Sequence, residues 1–266
     1  MSSVLFLNPH SGSSTPSAAE LRAEAERRQI RVHELGPNDD LVELAGQADA
    51  AVLGMAGGDG SLGAVAAVAI ERDLPFVCVP FGTRNHFARD AGLDRDDPVA
   101  ALDAFADGVE RRVDIGRVGD RLFLNNVSLG LYARLVHRRE HHRRRRDALA
   151  RVRALGLVAR ERRGAQRFEL DGEEVCTRIV LVACNAYSLG PFSIGERQTL
   201  DGGELHVYVP HGLVRRVWRD RSATEFTIDA PGHRVRAAID GEPVVLETPL
   251  EFRLEPKALR LLVPRG

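Results

Sequence analysis

The stretch GMAGGDGSLG, residues 54–63, joins an apolar run at 50–53 to a helix-like segment at 64–71. A glycine-rich turn between a strand and a helix presents backbone N–H groups, a chemistry suited to phosphate. Asp59 sits in the middle of that turn, where a carboxylate on its own would repel a phosphate. Two other apolar runs end in polar, glycine-containing turns. NPHSG carries Asn8, Ser11 and Gly12, and PFGTRNHFARDAGL carries Gly82, Thr83 and Asn85. Three such turns on one edge of a parallel sheet predict a phosphate-rich ligand. Its cradle would be the backbone of residues 57–63, with Gly57, Gly58, Gly60, Ser61 and Gly63 as the permissive positions. Asp59 then makes sense if a divalent cation stands between carboxylate and phosphates, because Mg²⁺ typically uses one or two carboxylates plus substrate phosphates.

Gly58-x-Gly60-x-x-Gly63 also matches a dinucleotide fingerprint, but its surroundings do not. It follows the third predicted strand rather than the first. The next strand ends without an acidic residue for a ribose, and Asp59 would face the pyrophosphate. No Gly-Lys pair exists in the chain, so a Walker A loop is absent.

The elements around these turns alternate strand and helix over the first hundred residues. Nearly all-apolar strands such as VLFLNP, AAVLGMA and PFVCVP predict a parallel sheet covered on both faces. Between the first two strands, TPSAAELRAEAERRQ reads as a helix with Thr15 as cap and Pro16 at its first position. After about Asp114 the pattern turns to alternating strands with Gly, Asp and Pro turns, including LEFRLEP and ALRLLVP as two separate strands. The expected architecture is an α/β domain at 1–115 followed by an antiparallel, β-sandwich-like domain at 116–266. Ligands bind outside the carboxyl ends of parallel strands.

Composition limits the alternatives. The 266 residues are 44% hydrophobic with formal net charge −1, which suits a globular protein with no general affinity for polyanions. Lys257 is the only lysine, so a phosphate contact needing a cation must use arginine, metal or backbone. Cys78, Cys176 and Cys184 have neither disulfide nor metal spacing and read as small buried residues of a cytoplasmic protein. The N-terminus lacks a signal-peptide pattern, and no run approaches a membrane span.

NPHSG, GGDGS and PFGTRNHFAR in this order, with NNVSLGLYA, LDGG and DGEP after them, resemble the diacylglycerol kinase catalytic-domain family. The GGDG element alone is shared with NAD kinases and 6-phosphofructokinases. The resemblance implies ATP- and Mg²⁺-dependent transfer of phosphate to a lipid hydroxyl, most plausibly that of diacylglycerol. It implies that the first domain supplies the glycine loop and the second the acceptor-deprotonating carboxylate, which falls on Glu242, with Asp240 orienting it or sharing the role. It also implies a second, structural cation at Asp201 with the carbonyls of Gln198 and Gly203. From the residues alone, both Asp171-Gly172-Glu173 and Asp240-Gly241-Glu242 are hairpin turns, and the first keeps that reading.

Three departures from the family pattern stand out. His86 occupies a position where many members carry Asp, Gly36-Pro37 replaces a small hydroxyl residue, and the nucleotide lysines of some relatives are missing. The segment 134–163 holds twelve arginines against three acidic residues. It reads as a charged helix for peripheral contact with an anionic membrane, since it lacks the interleaved aromatics of a nucleic-acid surface. A homodimer is a further expectation. The rival readings are a kinase acting on NAD, a sphingoid base or another alcohol, and a nucleotide- or lipid-binding protein without catalysis.

Overall fold

A computed structural model describes residues 2–11, 15–82, 85–130, 165–189, 194–197, 199–211 and 217–265. Gly12, Thr83, Gln198 and the Arg-rich stretch 134–163 lie outside the described residues. The chain gathers into two compact units. One takes in Met1–Ile115, Tyr187–Gly203 and Glu255–Gly266, the other Gly116–Ala186 and Glu204–Leu254.

In the first unit β1 (Ser3–Leu7), α1 (Ala18–Arg27), β2 (Arg31–Glu34), α2 (Leu41–Gln47), β3 (Val52–Gly57), α3 (Asp59–Glu71) and β4 (Phe76–Pro80) alternate as expected. The strands stand in the order β2-β1-β3-β4, all parallel. α4 (His86–Asp90), a 3₁₀ turn at Ala100–Asp103 and α5 (Ala104–Asp107) follow. β1, β3 and β4 are apolar on both faces, and Leu5, Leu7, Ala56, Val77 and Val79 enter a core shared with Leu21 and Ala25 of α1. α1 starts later than the sequence suggests. Ser17 is the cap, accepting the Glu20 N–H while the Glu20 carboxylate accepts the Ser17 N–H. That reciprocal pair satisfies two end donors, which neither Thr15 nor Pro16 could do together.

The next strands are β5 (Gly108–Val118), β6 (Arg121–Phe123), β7 (Asn126–Gly130), β8 (Gln166–Leu170), β9 (Glu173–Thr177), β10 (Ile179–Cys184), β11 (Tyr187–Leu189), β12 (Ile194–Arg197), β13 (Leu205–His211), β14 (Val217–Ala223), β15 (Glu225–Asp229), β16 (Arg234–Ile239), β17 (Glu242–Glu247) and β18 (Leu250–Pro264). In the second unit, β14-β13-β10-β7-β16-β17 form one antiparallel sheet. β8 and β9, β15 and the start of β18 pair antiparallel in another. Val127, Val182, Val207 and Ala237 from the first sheet share a core with Phe168, Phe226, Ile228 and Phe252 from the second. That layering is the expected β-sandwich.

Two expectations are corrected. LEFRLEP and ALRLLVP form the single strand β18, kinked where Lys257 takes φ 53°. Cys176 is exposed, whereas Cys78 and Cys184 are buried, because Cys176 points outward from β9, whose only buried residue is Thr177.

A carboxylate holds the Lys257 kink. Asp114, 1% exposed, accepts the Lys257 N–H at 2.7 Å and the Gly203 N–H at 2.8 Å, and its own N–H donates to the Leu200 carbonyl. Lys257 and residues 200–203, far apart in sequence, are thus tied to one buried side chain. Replacing Asp114 by Ala orphans two backbone donors and is expected to lower the unfolding free energy by about 2–4 kcal/mol. Urea denaturation of the two proteins measures this.

Candidate functional site

The three turns of the first unit meet at one sheet edge. Register pairs Leu7 with Ala56 and Gly57 with Pro80, so β1, β3 and β4 end side by side. The Asn8 N–H closes on the Ala56 carbonyl, and the Asn8 side chain accepts the His10 N–H. Ser11 N–H turns back to the Asn8 carbonyl. Gly58 precedes α3 as its N-cap, and Gly60, Ser61 and Gly63 lie in the opening turns of that helix. Helix openings leave N–H groups without intrahelical acceptors. Ser61 holds the turn from within, its hydroxyl donating to the Gly58 carbonyl at 2.9 Å.

The second and third turns press together. A Cβ built on Gly82 would come within 2.5 Å of the Gly58 Cα and 2.7 Å of Asn85 Oδ1, so only glycine fits there. Asn85 grips the same residue, its Oδ1 accepting the Gly82 N–H at 2.9 Å and its Nδ2 donating to the Gly82 carbonyl at 2.8 Å. The Asn85 backbone is left-handed, φ 49° and ψ 49°, a conformation asparagine adopts more readily than most residues.

Asp59 connects these turns. Its carboxylate is buried and accepts the His86 N–H at 3.2 Å on Oδ2 and the Phe87 N–H at 3.1 Å on Oδ1. α4 has no capping hydrogen bond from its own Asn85, so Asp59 caps it from another element. The same charge, added to burial, pushes the neighbouring Cys78 thiol well above its ordinary range, which leaves Cys78 inert.

No group of three or more His, Cys, Asp or Glu side chains placed to hold a metal occurs among the described residues. Asp201 is exposed, its carboxylate engaged by the Thr199 hydroxyl. The Gly203 N–H belongs to Asp114. Gln198, whose carbonyl the expected second cation site also needs, lies outside the described residues.

In the second unit, the β16–β17 turn places Asp240 and Gly241 at φ 47° and 87°, as an Asp-Gly hairpin requires. The Asp240 carboxylate accepts three backbone N–H groups, from Leu124 at 2.7 Å, Asn125 at 2.8 Å and Asn126 at 3.0 Å. Asp240 therefore anchors the start of β7, and Glu242, exposed at the start of β17, leads the turn back. The other hairpin also behaves as expected, with Asp171 and Gly172 at φ 47° and 84° and Asp171 accepting the Thr227 N–H.

Sequence reasoning missed the buried pair of Asp90 and Arg197, at 2.7 Å. It also missed Asn185 and Ser128, whose Oδ1 and Oγ are buried without a hydrogen-bond partner. An Asp directly after FAR was visible; its partner, 107 residues away, was not.

Residues 2–118 match the family model of the diacylglycerol kinase catalytic domain. A "Probable lipid kinase YegS-like" of Pseudomonas fluorescens is 39% identical over 121 residues, covering 42% of this chain and 40% of its own length. The diacylglycerol kinase of Bacillus subtilis is 34% identical over 84 residues, 31% of this chain and 28% of that protein. The match thus spans well under half the length of these relatives. A YegS-like relative from Klebsiella pneumoniae aligns over 98% of this chain and 96% of its own, at 27% identity. In fold, the chain is similar to a diacylglycerol kinase from Bacillus anthracis str. Sterne, with a TM-score of 0.69 at 14% identity, over 98% of this chain and 96% of that one. No described helix is long and apolar enough to cross a membrane.

Two outcomes follow from the packed glycine turns and the Asp240 anchor. Gly82→Ala, forced against Gly58, is expected to abolish nucleotide binding in calorimetry and to cost about 1–3 kcal/mol of stability. Asp240→Asn leaves at least one of three buried donors facing an amide rather than a carboxylate and is expected to cost about 1–3 kcal/mol in chemical denaturation.

Proposed function

We propose that the chain is an ATP-dependent kinase that phosphorylates a lipid hydroxyl, that of diacylglycerol. The observation that carries this reading is the convergence of three strand-end turns on one edge, with Asp59 between two glycine turns, inside a diacylglycerol kinase catalytic domain. Gly57, Gly58 and the opening N–H groups of α3 hold the phosphates, and Asn8, Ser11 and Asn85 shape the rim. Thr83 and Gly12 belong to the same sequence motifs, PFGTRN and NPHSG. Asp59 is the carboxylate that would meet Mg²⁺ carried by the nucleotide, which supplies neutralisation of phosphate charge.

Glu242 is the base. It takes the acceptor hydroxyl proton as the new O–P bond to the γ-phosphorus forms and the bond from that phosphorus to the β,γ-bridging oxygen breaks, releasing ADP. Asp240 orients the turn that carries it, since its oxygens are occupied by main-chain donors. The Arg-rich stretch 134–163 brings the enzyme to an anionic bilayer, where each basic residue contributes about 1 kcal/mol.

The test is transfer of labelled γ-phosphate from ATP·Mg²⁺ to diacylglycerol in anionic mixed micelles, beside Glu242→Gln. The wild type is expected to form phosphatidic acid, and the variant to bind ATP equally while turning over about 10²–10⁴-fold more slowly. ATP binding without transfer to diacylglycerol would redirect the reading to another acceptor. Failure to bind ATP would overturn the nucleotide site itself.

A further inference from the structure

We infer that Arg197 is a positioning residue for the phosphate cradle, acting through α4; the inference rests on the kinase reading above. α4 has only five residues, too few to hold together without tertiary anchors. Its first anchor is Asp59, at the N-terminal end. Its second lies at the other end, where the Asp90 carboxylate meets Arg197 Nε at 2.7 Å with both side chains shut off from solvent, 2% and 0% exposed.

The Arg197 guanidinium also lies 6.0 Å from the ring centroid of Phe87, a fully buried residue of the same helix. Asp90 is gripped from the other side by Arg89, whose Nε and NH2 reach Oδ1 at 2.8 and 2.6 Å. Arg197 therefore touches both the start and the end of α4. Being wholly buried, it cannot meet a ligand directly, so any effect on the site passes through the helix.

That passage is short. α4 begins at His86 and Phe87, whose N–H groups hold Asp59, and directly follows Asn85, which grips Gly82. Displacing α4 displaces both glycine turns. Close to Arg197 in the sequence, Leu200 and Gly203 are bound to Asp114. Arg197 thus ties α4 to a stretch of chain that is itself anchored.

The experiment compares the full-length wild type with Arg197→Met and Arg197→Lys. It uses steady-state kinetics in ATP and in diacylglycerol micelles, and amide hydrogen exchange across residues 86–90. Arg197→Met is expected to raise KM for ATP about tenfold or more, with KM for the acceptor unchanged. Exchange at His86 and Phe87 should accelerate while that of β1 and β3 does not, and Arg197→Lys should recover part of both effects. A purely structural residue would lower the amount of active enzyme without moving either KM.

A folded Arg197→Met protein with KM for ATP within about twofold of wild type overturns the inference. If that variant fails to fold because Asp90 is left as an uncompensated buried charge, the pair Asp90→Leu with Arg197→Met removes both charges and refolds. The same raised KM in the pair supports the inference, and an unchanged one overturns it. A wild type that neither binds nor turns over ATP sinks the kinase reading. Exchange at residues 86–87 then decides the coupling of Arg197 to α4 on its own, faster exchange supporting it and unchanged exchange overturning it.

Discussion

The cradle depends on one carboxylate accepting hydrogen bonds from two backbone amides. Asp59 lies in a glycine turn that, by its N–H groups, suits an anion, and its charge is compensated before any ligand arrives by the N–H groups of His86 and Phe87. A buried carboxylate without such partners would be too costly to keep ionised. With them, it joins two glycine turns that follow adjacent strands, and the close approach of Gly82 to Gly58 becomes possible. The repulsion that a carboxylate would exert on a phosphate is moderated by the same donors. Any remaining charge is the kind a nucleotide-borne cation neutralises.

Carboxylates recur in this role through the chain. Asp114 gathers Lys257 and Gly203, Asp240 gathers Leu124, Asn125 and Asn126, and Asp171 takes Thr227. Each stands where a strand kinks, starts or turns, which is where main-chain donors lose their ladder partners. A hydrogen bond to an ionised acceptor is stronger than a neutral one, so a single Asp can secure two or three irregular residues. The sequence offers Asp240 as a partner of the base and Asp171 as a hairpin turn; in the structure both fasten backbone, as Asp114 does.

That distinction explains what was legible in the sequence. Periodicity and turn chemistry are local, so the alternating first domain, the sandwich and both Asp-Gly hairpins could be read directly. The capping of α1 was read two residues early because Thr15 and Ser17 are both competent caps, and only the Glu20 carboxylate selects between them. β18 was read as two strands because Pro256-Lys257 resembles a break. Asp114, 143 residues from Lys257, bridges it instead. The Asp90–Arg197 pair was invisible for the same reason. Either residue alone is an ordinary charged side chain, and only the fold buries them together.

The same reasoning separates Asp240 from Glu242, two acids that a motif treats as equivalent. A general base must offer a lone pair to an approaching hydroxyl, at hydrogen-bonding distance and without first breaking other bonds. Asp240 has three backbone donors within 3.0 Å and forms the corner of a left-handed turn. Glu242 sits two residues on, at the start of β17, exposed. The anchored acid thus sets the direction of the turn that carries the exposed one.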